Sequence, residues 1–122
     1  MQYVEPRYTK DLDIWVSADI INAAAVYKSL RAFGAPLVGL TEADFAEEGY
    51  FYQMGDPPIR VDILMGIPGL TFSQGWSGRV EVEFDNLIVP FISRTDLIIA
   101  KQASGRAQDL IDADLLSQAG EI

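Results

Sequence analysis

Residues 7–16 read Arg7-Tyr8-Thr9-Lys10-Asp11-Leu12-Asp13-Ile14-Trp15-Val16, a charged approach to a short β-strand. Side chains alternate between the two faces of a strand, so Asp11 and Asp13 point the same way. Leu12, Ile14 and Val16 point the other way, which we expect to be into a core. Two carboxylates about 7 Å apart on one strand face repel each other unless a cation or a partner charge sits between them.

A third aspartate has the same setting in a second strand-like run. Asp62 lies within Ile59-Arg60-Val61-Asp62-Ile63-Leu64, with an apolar residue on each side. If the two runs pair in one sheet, Asp62 lies beside the strand that carries Asp11 and Asp13. Three carboxylates on adjacent strands offer the oxygen ligands that a hard divalent ion prefers. The pattern therefore predicts a Mg²⁺ site.

Composition narrows the chemistry open to the chain. Its 122 residues, 49% of them hydrophobic, suffice for one core, and we expect a single domain over residues 1–122. The sequence has no histidine and no cysteine, which excludes Ser-His-Asp and Cys-His nucleophiles, zinc sites with nitrogen and sulfur ligands, and disulfides. A net charge of −9 disfavours non-specific binding to nucleic acid or to an anionic membrane.

Hydropathy gives no indication of a membrane segment. The longest uncharged run, residues 63–78, is interrupted by Gly, Pro, Ser and Gln and falls short of the roughly 18 to 20 apolar residues that span a bilayer. The amino terminus is polar and lacks the apolar centre of a signal peptide. We therefore expect a soluble, cytoplasmic protein.

Capping and periodicity signals predict an α/β fold with a mixed β-sheet flanked by helices. The first half is expected to contain the strand near Asp13, a helix over Ile20–Phe33 capped by Ser17 or Asp19 and ended by Gly34, and a short helix opened by Thr41–Asp44. A hairpin of Tyr50–Met54 and Ile59–Met65 follows, and then strands Arg79–Phe84 and Leu87–Ile92. The chain is expected to end with a helix from Ser93 through Lys101, ended by Gly105, and a last helix from about Arg106 to Gln118. We expect Leu110, Ile111 and Leu115 to form the apolar stripe of the last helix. Residues 66–78 contain four glycines and are expected to be a loop.

The polar residues form an ordered set that resembles a known family. The set is Arg7-x-Thr9-x-Asp11-x-Asp13, then Arg60-Val61-Asp62, then Asp96-Leu97-Ile98-x-x-Lys101-x-x-x-x-Arg106-x-x-Asp109-x-x-Asp112. Over roughly residues 7 to 117 the chain resembles the small bacterial nucleotidyltransferase-like proteins of the polymerase-beta superfamily, near the type found as AbiEii toxins.

The resemblance implies a role for each matching residue. It makes Asp11, Asp13 and Asp62 metal ligands for Mg²⁺, and it places Lys101 and Arg106 at the phosphates of a nucleoside triphosphate. Metal ions on the phosphates neutralise the charge that develops during in-line displacement, so positioned carboxylates matter more than a conventional base. Asp62 is then the expected catalytic proton acceptor from an attacking hydroxyl.

The chain departs from the family pattern at its amino terminus. The family places a Gly-Gly or Gly-Ser turn and a helix before the aspartate pair, where backbone N–H groups hold the phosphates. Only residues 1–10 precede Asp11, and none of them is glycine. The expectation is a nucleotidyltransferase-like core truncated at its amino terminus. It either transfers a nucleotidyl group to a hydroxyl or persists as a catalytically idle binding or oligomerisation module.

Each site residue also has an ordinary structural interpretation. Asp11 and Asp13 could form a solvated strand edge, and Asp62 could be a salt-bridge partner. Arg106, Asp109 and Asp112 recur at three-residue spacing, which is typical of an ion network on a helix surface. Trp76 could stack on a base or fold its segment back onto the core.

Self-association is the last expectation from the sequence. Without a preceding strand and helix, the apolar residues of the first strand would be poorly covered, and an uncovered face on a small domain often marks an interface. We therefore predict a homodimer that involves either the segment around Tyr3–Tyr8 or the glycine-rich segment near Trp76.

Overall fold

The computed structural model describes residues 10–56 and 59–119, with the backbone alone for Lys10, Asp11 and Ala119. Its order of elements is β1 (Lys10–Trp15), α1 (Ile20–Phe33), a 3₁₀ helix (Glu42–Ala46), β2 (Phe51–Met54), β3 (Ile59–Leu64), α2 (Phe72–Ser77), β4 (Val80–Phe84), β5 (Leu87–Phe91), α3 (Arg94–Ser104) and α4 (Ala107–Ala119). The predicted α/β fold is confirmed. The segment Tyr3–Tyr8, named above for a dimer interface, lies outside the described residues.

The chain divides into two compact units, with the boundary between Gly66 and Ile67. The amino-terminal unit contains a three-stranded mixed sheet in the order β1-β3-β2. In this sheet β1 runs parallel to β3, and β2 runs antiparallel to β3. The carboxy-terminal unit contains the antiparallel hairpin β4–β5 and the helices α2, α3 and α4. The single domain expected over residues 1–122 stays a prediction.

Helix α1 supplies one side of the core in the amino-terminal unit. Its boundaries are those predicted: the Asp19 side chain accepts a hydrogen bond from the Asn22 backbone N–H at 2.8 Å, and Gly34 ends the helix with a φ of 95°. Residues of α1, the 3₁₀ helix and β3 meet in a buried cluster of Ala23, Leu30, Phe45, Ile63 and Met65. Phe45, which is 1% exposed, contacts the rings of Tyr27 and Tyr52 edge-on.

Strand β1 is less covered than its sequence predicts. Val16 packs against the buried cluster as expected. Leu12 and Ile14, predicted to point into the core, are 57% and 40% exposed, so that prediction is wrong for these two residues. The reason is the position of the strand: β3 is central and carries the buried Ile63, whereas β1 lies at the edge of the sheet.

The predicted loop over residues 66–78 contains a helix. Helix α2 spans Phe72–Ser77, so the loop prediction is wrong for this stretch. Thr71 and Gln74 form a capping box: the Gln74 N–H donates to Thr71 Oγ1 at 3.2 Å, and the Thr71 N–H donates to Gln74 Oε1 at 2.8 Å. These two bonds satisfy amide groups that would otherwise lack partners at the start of the helix, and they outweigh the helix-weakening effect of Gly75.

The carboxy-terminal unit follows local turn signals closely. Asp85 and Asn86 link β4 to β5 with φ values of 49° and 69°, a turn that aspartate and asparagine tolerate better than other side chains do. Ser93 caps α3 through a 3.1 Å bond from the Asp96 N–H to its hydroxyl, and Gly105 ends α3 with a φ of 70°. Gly69 is required for space, because a Cβ there would lie 2.7 Å from the Cβ of Ala103.

The apolar stripe predicted for α4 is wrong. Leu110, Ile111 and Leu115 are 46%, 55% and 57% exposed. The buried positions of α4 are instead Asp109 and Ala113, at 8% and 1% exposure. Helix α4 packs on α3 through a face with a small residue and a carboxylate, because Asp109 finds its hydrogen-bond partners at the end of α3.

Candidate functional site

The parallel pairing of β1 with β3 brings two of the predicted aspartates together. The register places Asp13 directly opposite Asp62, and Asp11 opposite Arg60. Residues opposite each other on adjacent strands project from the same face of a sheet, and the strands lie about 4.8 Å apart. The sequence expectation that sheet pairing would place Asp62 beside the first strand is therefore confirmed.

The sheet face that carries these aspartates is polar in its middle. Gln53 on β2 lies opposite Asp62, which gives a row of Asp13, Asp62 and Gln53 across the three strands. Val61 and Ile63 project from the other face, where Ile63 joins the core. The alternation that sends Ile63 into the core therefore sends Asp62 to the polar face.

One oxygen of Asp62 has no hydrogen-bond donor. Within the described residues, Asp62 Oδ1 is buried and has no partner, although the residue as a whole is half-buried. A carboxylate oxygen shielded from water is unfavourable unless a donor or a cation lies next to it. The neighbour across the strand is Asp13, a second acid. Binding of a cation by this pair stays a prediction.

The donor set suits Mg²⁺ chemically. In the described part of the chain, no three acidic side chains lie close enough together to hold a metal ion, and the Asp11 side chain is outside that part. Mg²⁺ is usually held by one or two carboxylates, with substrate phosphates and water completing its octahedron. The pair of Asp13 and Asp62 therefore suffices in number, and Asp11 as a third ligand stays a prediction.

Lys101 and Arg106, the predicted phosphate contacts, lie in one ion-pair network at the α3–α4 junction. Its centre is Asp109, the one buried charged residue in the described part of the chain. The Arg106 guanidinium donates to Asp109 Oδ2 through Nε at 2.8 Å, and its Nη2 lies 2.7 Å from the same oxygen. Lys101 Nζ lies 3.5 Å from Asp109 Oδ1 and 3.4 Å from Asp112 Oδ2.

A serine completes this network. Ser104 Oγ lies 2.7 Å from Asp109 Oδ2, at hydrogen-bond distance for its hydroxyl proton. The hydrogen bond from Ser104, then that from Arg106, lower the pKa of the Asp109 carboxyl below its ordinary value, with further help from the charges of Arg106 and Lys101. Arg106, Asp109 and Asp112 thus belong to an ion network, as their spacing predicts, but its central residue Asp109 is buried against α3 and does not lie on a helix surface. Phosphate binding by Lys101 and Arg106 stays a prediction.

Trp76 lies on α2 and is 46% exposed. Its ring stacks on Phe72 with 5.9 Å between centroids, and the Arg79 guanidinium carbon lies 4.0 Å from the centre of the indole. Arg79 also donates to the Trp76 carbonyl at 2.8 Å and to Glu81 at 2.9 Å. These contacts fix the orientation of the indole, and base stacking by Trp76 stays a prediction.

Sequence reasoning missed two participants in these clusters. Ser104 is the first of them. It directly precedes Gly105, and a residue at the end of one helix lies next to the start of the following helix. Gln53 was also missed. Its position opposite Asp62 follows from the hairpin register, which depends on the length of the connecting loop.

The predicted site residues therefore form two groups. Asp13 and Asp62 lie in the amino-terminal unit, and Lys101, Arg106 and Trp76 lie in the carboxy-terminal unit.

Comparison with known protein families, curated protein sequences and solved structures found no match for this chain. None of the helices in the described part has the length and apolar character needed to cross a bilayer.

Proposed function

We propose that this chain is a nucleotidyltransferase-like domain that binds a nucleoside triphosphate together with Mg²⁺ and transfers a nucleotidyl group to a hydroxyl acceptor. The observation that carries the proposal is the position of Asp13 opposite Asp62, together with the buried Asp62 oxygen to which no described residue donates. The resemblance in residue order supports the same assignment.

Each acidic residue has a defined part in the proposal. Asp13 and Asp62, with Asp11 as the third predicted ligand, would hold Mg²⁺, which would neutralise negative charge on the phosphate oxygens. Asp62 accepts the proton of the attacking hydroxyl. The hydroxyl oxygen forms a bond to the α-phosphorus, and pyrophosphate leaves with the electron pair of the broken bond. The phosphate contacts of Lys101 and Arg106 rest on the resemblance in residue order alone.

The net charge of the chain agrees with a requirement for metal. At −9 the protein repels an anionic triphosphate at long range. A divalent cation held by two carboxylates neutralises their negative charge at the polar sheet face. We therefore expect nucleotide binding to depend on the metal.

A thermal melt with and without metal tests the first step. Mn²⁺ or Mg²⁺ at ten times its Kd should stabilise the fold by about 1.4 kcal/mol through mass action. Asp62→Asn and Asp13→Asn should each remove the metal-dependent rise in Tm. Glu47→Gln removes one exposed carboxylate in the same unit and should keep that rise. An unchanged Tm for the parent protein would contradict the metal site.

Pyrophosphate release from each of the four ribonucleoside triphosphates tests the second step. Release that needs Mg²⁺, stops in Asp62→Asn and persists in Glu47→Gln is the expected result. A metal-dependent rise in Tm without any nucleotide binding or pyrophosphate release would instead favour the catalytically idle module.

The homodimer remains part of this proposal. If the interface is at the first strand, its support is the exposure of Leu12 and Ile14 on β1, an edge strand of the sheet. Light scattering during size exclusion measures the mass directly.

A further inference from the structure

One face of the hairpin β4–β5 carries apolar side chains only. Its cross-strand pairs on one face are Val80–Phe91, Val82–Val89 and Phe84–Leu87. The opposite face carries Glu81, Glu83, Ile88 and Pro90. We call the first set of six residues the apolar hairpin face. It contains no polar or charged side chain, so nothing on it requires contact with water.

Much of the apolar hairpin face is exposed. Val80, Phe84, Leu87 and Phe91 are 50%, 53%, 68% and 44% exposed. The rings of Phe84 and Phe91 lie 6.2 Å apart and form a continuous surface. A two-stranded hairpin is only marginally stable in water unless its apolar face packs against something. A contiguous exposed patch of this kind marks an interaction surface.

The chemistry of the face selects the partner. A cationic partner would be drawn to the carboxylates of Glu81 and Glu83, but these lie on the opposite face. The complement of an uncharged apolar face is another uncharged apolar face. A second copy of this chain presents one of equal size, and it brings no like charge into the contact despite the net charge of −9 on each copy.

The available area fits a symmetric pair. At these exposures the six residues offer roughly 500 Å² per copy, so two copies approach the roughly 1,000 Å² expected of a specific interface of modest strength. A twofold arrangement buries the same patch on both copies and closes the assembly at two.

We propose that two copies of this chain associate by packing their apolar hairpin faces against each other. This surface differs from both of the dimer interfaces predicted from the sequence. The arrangement stacks two hairpins as a small sandwich about 10 Å thick.

A pair of neighbouring substitutions tests the proposal. Leu87 and Ile88 are adjacent, 68% and 66% exposed, and on opposite faces of β5. Size exclusion with light scattering at about 100 μM should give twice the 13.5 kDa chain mass for the parent protein. Leu87→Lys should give the single-chain mass, whereas Ile88→Lys should keep the dimer. Circular dichroism verifies that both variants are folded.

A cross-linking experiment keeps the proposal testable if Leu87→Lys fails to fold. The chain has no cysteine, so Leu87→Cys and Ile88→Cys each carry one thiol. A bis-maleimide that spans about 10 Å, the spacing of packed sheets, should join two copies of Leu87→Cys far more efficiently than two copies of Ile88→Cys. A monomeric parent protein would overturn the proposal, as would equal behaviour of the two positions in either experiment.

Discussion

Asp62 and Asp109 are two shielded carboxylates, one in each unit, with opposite surroundings. Asp109 is bonded by the Ser104 hydroxyl and the Arg106 guanidinium, and Lys101 lies 3.5 Å from its other oxygen. Asp62 lies opposite another acid, Asp13, and its buried Oδ1 has no donor in the described part of the chain. In the sequence alone, these two aspartates look equivalent.

The difference separates a structural carboxylate from a candidate binding group. Shielding a carboxylate from water is unfavourable unless hydrogen bonds or opposite charges offset the lost hydration. At Asp109 the protein itself provides that compensation, so the residue joins α3 to α4. At Asp62 no described residue donates to the buried Oδ1, which makes Asp62 the candidate for a ligand from solution.

The largest effect on stability is expected at Asp109, the structural carboxylate of the two. Asp109→Ala removes the acceptor for Ser104, Arg106 and Lys101, and we expect unfolding in urea to show a loss of about 2–3 kcal/mol. The figure stays below that of a fully buried pair because the Arg106 side chain is 80% exposed and screened by water. As a control, Asp112→Ala loses a 3.4 Å contact to Lys101 and a bond from Gln108 and should cost under about 1 kcal/mol. Equal losses in both variants would contradict a central role for Asp109.

Acid titration should show a smaller effect of the same residue. The pKa of Asp109 is lowered from 3.8 in the folded state, so the stabilisation it provides is fully present above the pKa of the unfolded chain. That stabilisation is lost as the pH falls below the pKa of the unfolded chain and through the lower folded pKa.

Comparison with a variant isolates the contribution of Asp109 to this titration. The pKa of Asp19 is also lowered, first by the hydrogen bond from the Ser17 hydroxyl and then by that from the Asn22 N–H. Asp19 therefore also loses stabilisation as the pH falls. Asp109→Asn keeps Asp19 and should therefore lose less stability than the parent protein between pH 5 and 2. Parallel curves of Tm against pH for the two proteins would show that Asp109 does not titrate as described.

The smallest expected effect has the opposite sign. Asp62→Asn removes one of two like charges that face each other across β1 and β3, and we expect a gain of about 0.5–1 kcal/mol in metal-free buffer. Urea unfolding measures the change, with Glu47→Gln as a charge-matched control that should leave stability unaltered. A loss comparable to that of Asp109→Ala would mean that Asp62 is held by the fold as firmly as Asp109 is.

Local signals in the sequence determined most of the elements. The boundaries of α1, the turn at Asp85–Asn86 and the ends of α3 were predictable, because caps, glycines and alternation act within a few residues of chain. The capping box of Thr71 and Gln74 is an equally local signal for α2, but the glycine content of residues 66–78 favours a loop over the same stretch.

The aspartate pair was predictable from the sequence only in part. Alternation places Asp13 and Asp62 opposite the apolar residues of their strands. Their meeting depends on the parallel register of β1 with β3, which is set by packing along the whole sheet.

Burial was decided by tertiary structure alone. The sequence determined that β1 alternates and that α4 carries three large apolar residues, yet Leu12 on the edge strand and Leu110 on α4 are exposed. Which face of an element is covered depends on what packs against it, and no local pattern specifies that neighbour. For the same reason Asp109, a polar residue, occupies the buried face of α4: its partners Ser104 and Lys101 come from the preceding helix and meet it only after the chain turns at Gly105.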